Sequence, residues 1–200
     1  MVSNAGIALG GPLEHLPIDA LRRQFEVNVF GALAVAQAVL PLLPEGRGRI
    51  VFVGSIAGRL SVPYLGSYSA SKFALRAISD ALRVELAPVG IAVTLIEPSA
   101  VKTPIWSKGR AARTRIFATL EATPRAHYHA AMETAMSQTE SEERSGMPVE
   151  QVARAIVHAL TTAKPRPHYL LGVPARLGSL LALLPAAWRD RALRASMRLP

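Results

Sequence analysis

Four residues define the chemistry open to this chain: Asn28, Ser55, Tyr68 and Lys72. Tyr68 and Lys72 stand in the run Gly66-Ser67-Tyr68-Ser69-Ala70-Ser71-Lys72. They are four residues apart, and on a helix positions i and i+4 share a face. A phenol at its reference pKa near 10 moves protons poorly at neutral pH. An adjacent ammonium favours the phenolate and lowers that value, so the spacing predicts a tuned acid/base. Ser55 follows Ile50-Val51-Phe52-Val53-Gly54, an apolar run that reads as a buried parallel strand. Its hydroxyl is thereby expected at a strand's carboxyl end, where open α/β sheets bind their ligands.

Each piece has an ordinary structural reading. Tyr-x-x-x-Lys is also a common surface pair worth a few tenths of a kcal/mol. A serine after a strand is often a turn or N-cap residue. Asn28 lies inside the apolar helical segment at Val27-Asn28-Val29 and reads equally as a buried amide bonded to backbone. The order of the pieces is more specific. Ser3-Asn4-Ala5-Gly6 follows the first strand-like residues, then come Asn28, Ser55 and the Tyr68/Lys72 pair. Pro98-Ser99-Ala100-Val101-Lys102-Thr103 follows another strand.

This series resembles the short-chain dehydrogenase/reductase (SDR) family from Met1 to about Thr103, with weaker similarity to the end. The resemblance implies that Tyr68 exchanges a proton with the substrate oxygen while hydride moves to or from a nicotinamide. Ser55 would hydrogen-bond the reacting carbonyl or alcohol, Lys72 would lower the Tyr68 pKa and bind the cofactor ribose, and Asn28 would hold a water leading from Lys72. It also implies cofactor contacts at Asn4, Ala5, Gly6, Tyr68, Lys72, Pro98, Val101 and Thr103. Ser3 stands where the family has a first asparagine, and Ser99 where it has glycine, which implies strain if that position needs a positive φ.

The family opens with a strand, a glycine-rich turn and a helix whose N-terminus cradles the dinucleotide pyrophosphate. This chain matches only from the end of the family's fourth strand. Gly10-Gly11 precedes Pro12 and reads as a loop. The implied fold is α/β: a Rossmann-like, doubly wound parallel sheet, incomplete because the family's first three strands are absent. The same reasoning implies weak dinucleotide binding by these residues, NAD and NADP being indistinguishable. It also implies an apolar sheet edge at Met1–Ser3 and self-association.

Stepping from site to elements, strands and helices alternate. Ile18 to Leu43 has helical spacing with Leu21, Phe25, Val29 and Leu33 on one face. A second helix is expected over Tyr68 to Ala87 with Leu75, Ile78, Leu82 and Leu86 inward, and a third from Pro148 to Thr161. Strands are expected at Arg49 to Gly54, Ile91 to Glu97 and His168 to Val173. The whole, 1–200, reads as a single partial domain, with 104–147 a variable, substrate-covering lid and 175–200 an amphipathic tail. The tail suits core or dimer packing, or a membrane surface.

Composition narrows the partners. Two hundred residues at 50% hydrophobic content support one globular domain. No cysteine is present, so disulfides and thiolate metal sites are excluded, and the histidines (His127-x-His129 included) lack metal-site spacing. No secretion signal is evident and a cytoplasmic location is expected. The net charge of +9 sits almost wholly in residues 101–200, without the aromatic interleaving of a nucleic-acid module. The resulting expectation is an NAD(P)-dependent oxidoreductase for a lipophilic secondary alcohol or ketone, forming a homo-oligomer and touching a membrane at most peripherally. The alternatives are a catalytically silent fragment or pseudoenzyme acting as an interaction partner, and a basic membrane- or nucleic-acid-associated protein.

Overall fold

The computed structural model describes residues 1–196, excepting the side chains of Thr123, Pro124, Arg125 and His127. The last four residues of the expected tail and His127 of the expected histidine pair therefore lie outside the described residues. Four parallel strands form one sheet in chain order: β1 (Val2–Ser3), β2 (Arg49–Val53), β3 (Ala92–Pro98) and β4 (His168–Leu171). Val2 pairs with Val51, Ile50 with Val93 and Leu95 with His168.

Parallel strands need crossovers that cover both faces, and the alternation of side chains shows which helix covers which. Ile50 and Phe52 of β2 pack with Val93 and Leu95 against helices α2 (Gly31–Val39) and α3 (Gly66–Glu85), through Ala32, Ala36 and Leu75. Val51 and Ile96, pointing the other way, meet Val152 and Ala159 of α6 (Val149–Thr161) and Tyr169 of β4. The result is a doubly covered α/β sheet, as the alternating pattern predicts. Gly90, with φ 68°, ends the turn after α3 and passes so close to Gly46 that a Cβ would lie 2.7 Å from its Cα.

The first helical segment is built in three pieces. It runs as α1 (Ile18–Phe25), a π-turn at Glu26–Phe30, and α2. Its buried stripe is Gln24, Asn28, Val29, Ala32 and Ala36, whereas Leu21, Phe25 and Leu33 are only partly buried. The small alanines allow close approach to the sheet, and the two amides bond loop backbone, so size and hydrogen bonding set the inward stripe as much as apolarity. Ile18–Leu42 is long and apolar enough to cross a membrane by length and composition. Gln24 and Asn28 nevertheless face the protein and Ala32 and Ala36 face the sheet, as in a sheet-covering helix.

Residues 104–147 hold α4 (Ile105–Ala118) and α5 (Ala122–Ser145). The end of α5 is tied to the loop after β3, where Val101 bridges Met147 and Met147 N–H donates to the Ala100 carbonyl at 2.9 Å. After β4 come α7 (Val173–Leu181) and α8 (Ala186–Ser196). Gly178 of α7 lies against Ile56 and Leu60, which places this helix over the loop that follows Ser55.

Candidate active site

A cavity of about 570 Å3 opens at the carboxyl ends of β1, β2 and β3. Ser55, Tyr68 and Lys72 line it, as do Asn4, Gly6, Pro98, Val101 and Thr103. Ala5 and Asn28 are absent from the lining: Ala5 is exposed, and Asn28 is buried behind the wall.

Local structure explains each position. Ser55 is extended (φ −172°) and caps a short 3-10 turn, its Oγ accepting from Ala57 N–H at 3.1 Å. That turn presses on α3 at Gly58, where a Cβ would come within 2.8 Å of the Lys72 carbonyl oxygen. Only glycine allows this approach, which fixes the distance between the Ser55 loop and the Tyr68 helix. Tyr68 and Lys72 share the first turns of α3, with Lys72 Nζ 5.7 Å from the Tyr68 ring centroid. Lys72 is buried and donates to the Val53 carbonyl at 3.0 Å.

Asn28 sits in the π-turn, a distortion often found at functional sites. Its amide accepts from Ile7 N–H and donates to the Ile7 carbonyl and Ser71 Oγ, each at 2.9 Å. Ser71 Oγ in turn donates to the Tyr68 carbonyl at 2.7 Å. Both amide N–H groups and one oxygen lone pair are thus used in clamping the loop after β1 to α3. A Cβ on Gly6 would lie 3.4 Å from Asn28 Oδ1 and 3.7 Å from Lys72 Nζ, so the loop after β1 packs against both side chains.

The electrostatics correct the expectation for Tyr68. Burial pushes its phenol up to about 12, and a hydrogen bond with Ser55 offsets this only in part. Burial also brings the Lys72 ammonium down to about 8. Burial of the phenol itself is the dominant influence on Tyr68, so Tyr68 carries its proton at neutral pH. The condition for strain at Ser99 is not met. Among the described residues Tyr64 (φ 63°) is the only non-glycine residue with positive φ, so Ser99 carries no such strain.

The cavity wall is mainly apolar, with Ile56, Leu60, Val62, Leu65, Ile105 and Trp106. Phe117 and Leu180 to Leu184 do not line it. Two features escaped the sequence reading. Arg113 of α4 is buried in the cavity wall. Glu97 of β3 is fully buried and held by Arg59 at 2.6 and 2.8 Å and by His168 Nδ1 at 2.9 Å, while His168 Nε2 reaches Asp80 at 2.9 Å. Burial alone would raise the Glu97 carboxyl, but the hydrogen bonds from His168 and Arg59 hold it below the usual carboxylate range. A glutamate inside an apolar strand was the available signal.

Known proteins show the same arrangement of chain. A family model described as short chain dehydrogenase matches residues 1–114. The chain is 38% identical over 176 residues to an NADPH-dependent 3-dehydrocapnine reductase of Ornithobacterium rhinotracheale, covering 86% of this chain and 60% of that protein. It is 37% identical over 200 residues to human retinol dehydrogenase 5, covering 96% of this chain and 63% of that protein. A solved short chain dehydrogenase/reductase of Burkholderia phymatum, in complex with NAD, matches with a TM-score of 0.70 and 26% identity. That match covers 100% of this chain and 66% of the other. The chain therefore spans less than two thirds of the length of these relatives.

Proposed function

The chain belongs to the short-chain dehydrogenase family, and from that premise we propose that it forms the catalytic part of an NAD(P)-dependent oxidoreductase interconverting a secondary alcohol and a ketone. The observation that carries this reading is the convergence of the Ser55 and Tyr68 hydroxyls and buried Lys72 on one mainly apolar cavity at the strand ends. A bound nicotinamide cofactor would supply or accept the hydride.

The residues present fit one end of such a cofactor. Asn4, Gly6, Lys72, Pro98, Val101 and Thr103 line the cavity, with Gly6 packed beside Lys72 Nζ and Asn28 Oδ1. These would hold its ribose and nicotinamide. A glycine-rich phosphate cradle is not found among the described residues: Gly11 N–H bonds to the Tyr64 carbonyl within a loop, not at a strand-to-helix turn.

The remaining chemistry falls to the chain's own groups. Ser55 and Tyr68 donate hydrogen bonds to a carbonyl oxygen, polarising it where negative charge develops. The Tyr68 O–H then gives its proton to that oxygen. A phenol held near 12 is protonated at neutral pH, the state from which reduction begins. Lys72 stabilises the phenolate left behind, and Asn28 positions α3 through Ser71 and the Tyr68 carbonyl. The apolar wall excludes water and suits a lipophilic substrate.

The reading extends to partners. A homo-oligomer is supported by exposed Ile18, Phe30, Val35, Phe73 and Val84 on α1, α3 and the segment between them. Contact of the tail with a membrane surface is supported by exposed Leu180, Leu183 and Trp188 beside Arg189, Arg191 and Arg194.

The test is cofactor consumption with a panel of lipophilic ketones at millimolar NADH or NADPH. The expected result is oxidation of one cofactor matched by formation of the alcohol. No alcohol from any ketone with either cofactor would overturn the proposal.

A further inference from the structure

Arg113 has no place in the mechanism above. It is 2% exposed, and the residue belongs to the wall of the cavity. Burying a guanidinium without a partner for its charge is expensive, and such groups are retained where something satisfies them. Within the protein only part of this group is satisfied. Nη1 donates to the Ala135 carbonyl at 3.4 Å and to Thr139 Oγ1 at 3.3 Å, both on α5. Nε is buried with no hydrogen-bond partner, and among the described residues none is recorded for Nη2.

The nearby charges do not complete it. Burial is the main influence on Arg113 and disfavours its charge, followed by repulsion from Arg110, with Glu142 attracting it more weakly. Arg110 has its own partner, Glu143, at 2.5 Å. Glu142 lines the cavity too, but its residue is exposed and no ion pair within 4.0 Å joins it to Arg113 among the described residues.

We propose that Arg113 is a specificity residue, and that the substrate is an amphiphile whose apolar body fills the cavity and whose oxyanion headgroup is held by the Nε–Nη2 edge of the Arg113 guanidinium. The planar guanidinium edge suits a carboxylate, a sulfonate or a phosphate, which accept two parallel N–H bonds. Anchoring of Nη1 on α5 fixes the orientation of that edge before ligand arrives. Headgroup binding would also tie α4 to α5, joining substrate recognition to the two helices expected to cover the site.

This inference rests on the cavity being the substrate site, and it is tested without turnover. The full chain carrying Trp188→Phe leaves Trp106, in the cavity wall, as the fluorescent reporter. Decanoate, decane sulfonate, decyl phosphate and decanol are titrated separately. At least one anionic probe should bind about 10- to 100-fold more tightly than decanol, the scale of hydrogen bonds to a charged group. The ranking of the three identifies the headgroup. Arg113→Met should remove that preference while leaving decanol binding intact, and Arg113→Lys should keep part of it. Decanol binding as tightly as every anion, or a preference that survives in a folded Arg113→Met protein, would overturn the proposal. Should Arg113→Met not fold, the wild-type ranking and Arg113→Lys still decide. A preference for anions in a protein that reduces no ketone would sink the oxidoreductase reading alone. Reduction of neutral and carboxylated ketones at equal kcat/KM would sink this inference alone.

Discussion

At the scale of the residue, the chemistry turns on what burial does to two titrating groups. The spacing of Tyr68 and Lys72 was legible because helical periodicity is local. The direction of the Tyr68 shift was not, because desolvation depends on the walls that the rest of the chain builds around it. The phenol, pushed up to about 12, keeps its proton well past neutrality, whereas the Lys72 ammonium, brought down to about 8, loses its proton just above it. On the proposed reading, reduction is supported below that value, where Lys72 is charged, and declines as pH rises through about 8. A pH profile of kcat/KM for reduction should show this break, and Lys72→Arg should move it upward because arginine holds its proton. A profile that stays flat between about pH 6 and about 9 would contradict the assignment. Arg113 was illegible for a different reason: one arginine among 23 basic residues, in a segment of weak periodicity, gives no sign of being buried.

At the scale of the element, a group of charges ties the sheet to its helices. Glu97 on β3 gathers Arg59 from the loop after Ser55 and His168 from β4, and His168 reaches Asp80 on α3. Removing the central carboxylate leaves a guanidinium and an imidazole without their partner. Glu97→Ala should therefore destabilise the fold by about 3–5 kcal/mol, read by chemical denaturation. The linkage runs in one direction. A carboxyl held below its ordinary value contributes stability at higher pH and loses it as pH falls below the unfolded value of 4.5 toward the folded one. Wild-type stability should fall in that acid window, and Glu97→Gln should flatten the fall. A Glu97→Gln protein with the wild-type acid profile would show that other carboxylates govern it. The strands themselves were legible, since buried parallel strands are continuous apolar runs. The inward face of the first helix was not, because it is built from Ala32, Ala36, Gln24 and Asn28, chosen for size and hydrogen bonding over apolarity.

At the scale of the whole molecule, the apolar residues that this helix and α3 leave outside are a candidate for self-assembly. Phe30 is 53% exposed, Val35 50% and Phe73 41%, more large apolar surface than isolated surface residues require. The protein should elute from size-exclusion chromatography above the mass of one 21.4 kDa chain, and Phe30→Glu with Val35→Glu should shift it toward the monomer. A wild-type monomer would show that this face has another use. The central claim, that Ser55, Tyr68 and Lys72 form a carbonyl-reducing site, is tested most directly at one atom, the Tyr68 hydroxyl oxygen. In a single-turnover reaction at saturating NADH or NADPH, Tyr68→Phe should form alcohol at least about 100-fold more slowly than wild type, the lower range of general acid contributions. Its thermal melting should be unchanged. Alcohol formation by a folded Tyr68→Phe protein within about tenfold of wild type would contradict the account.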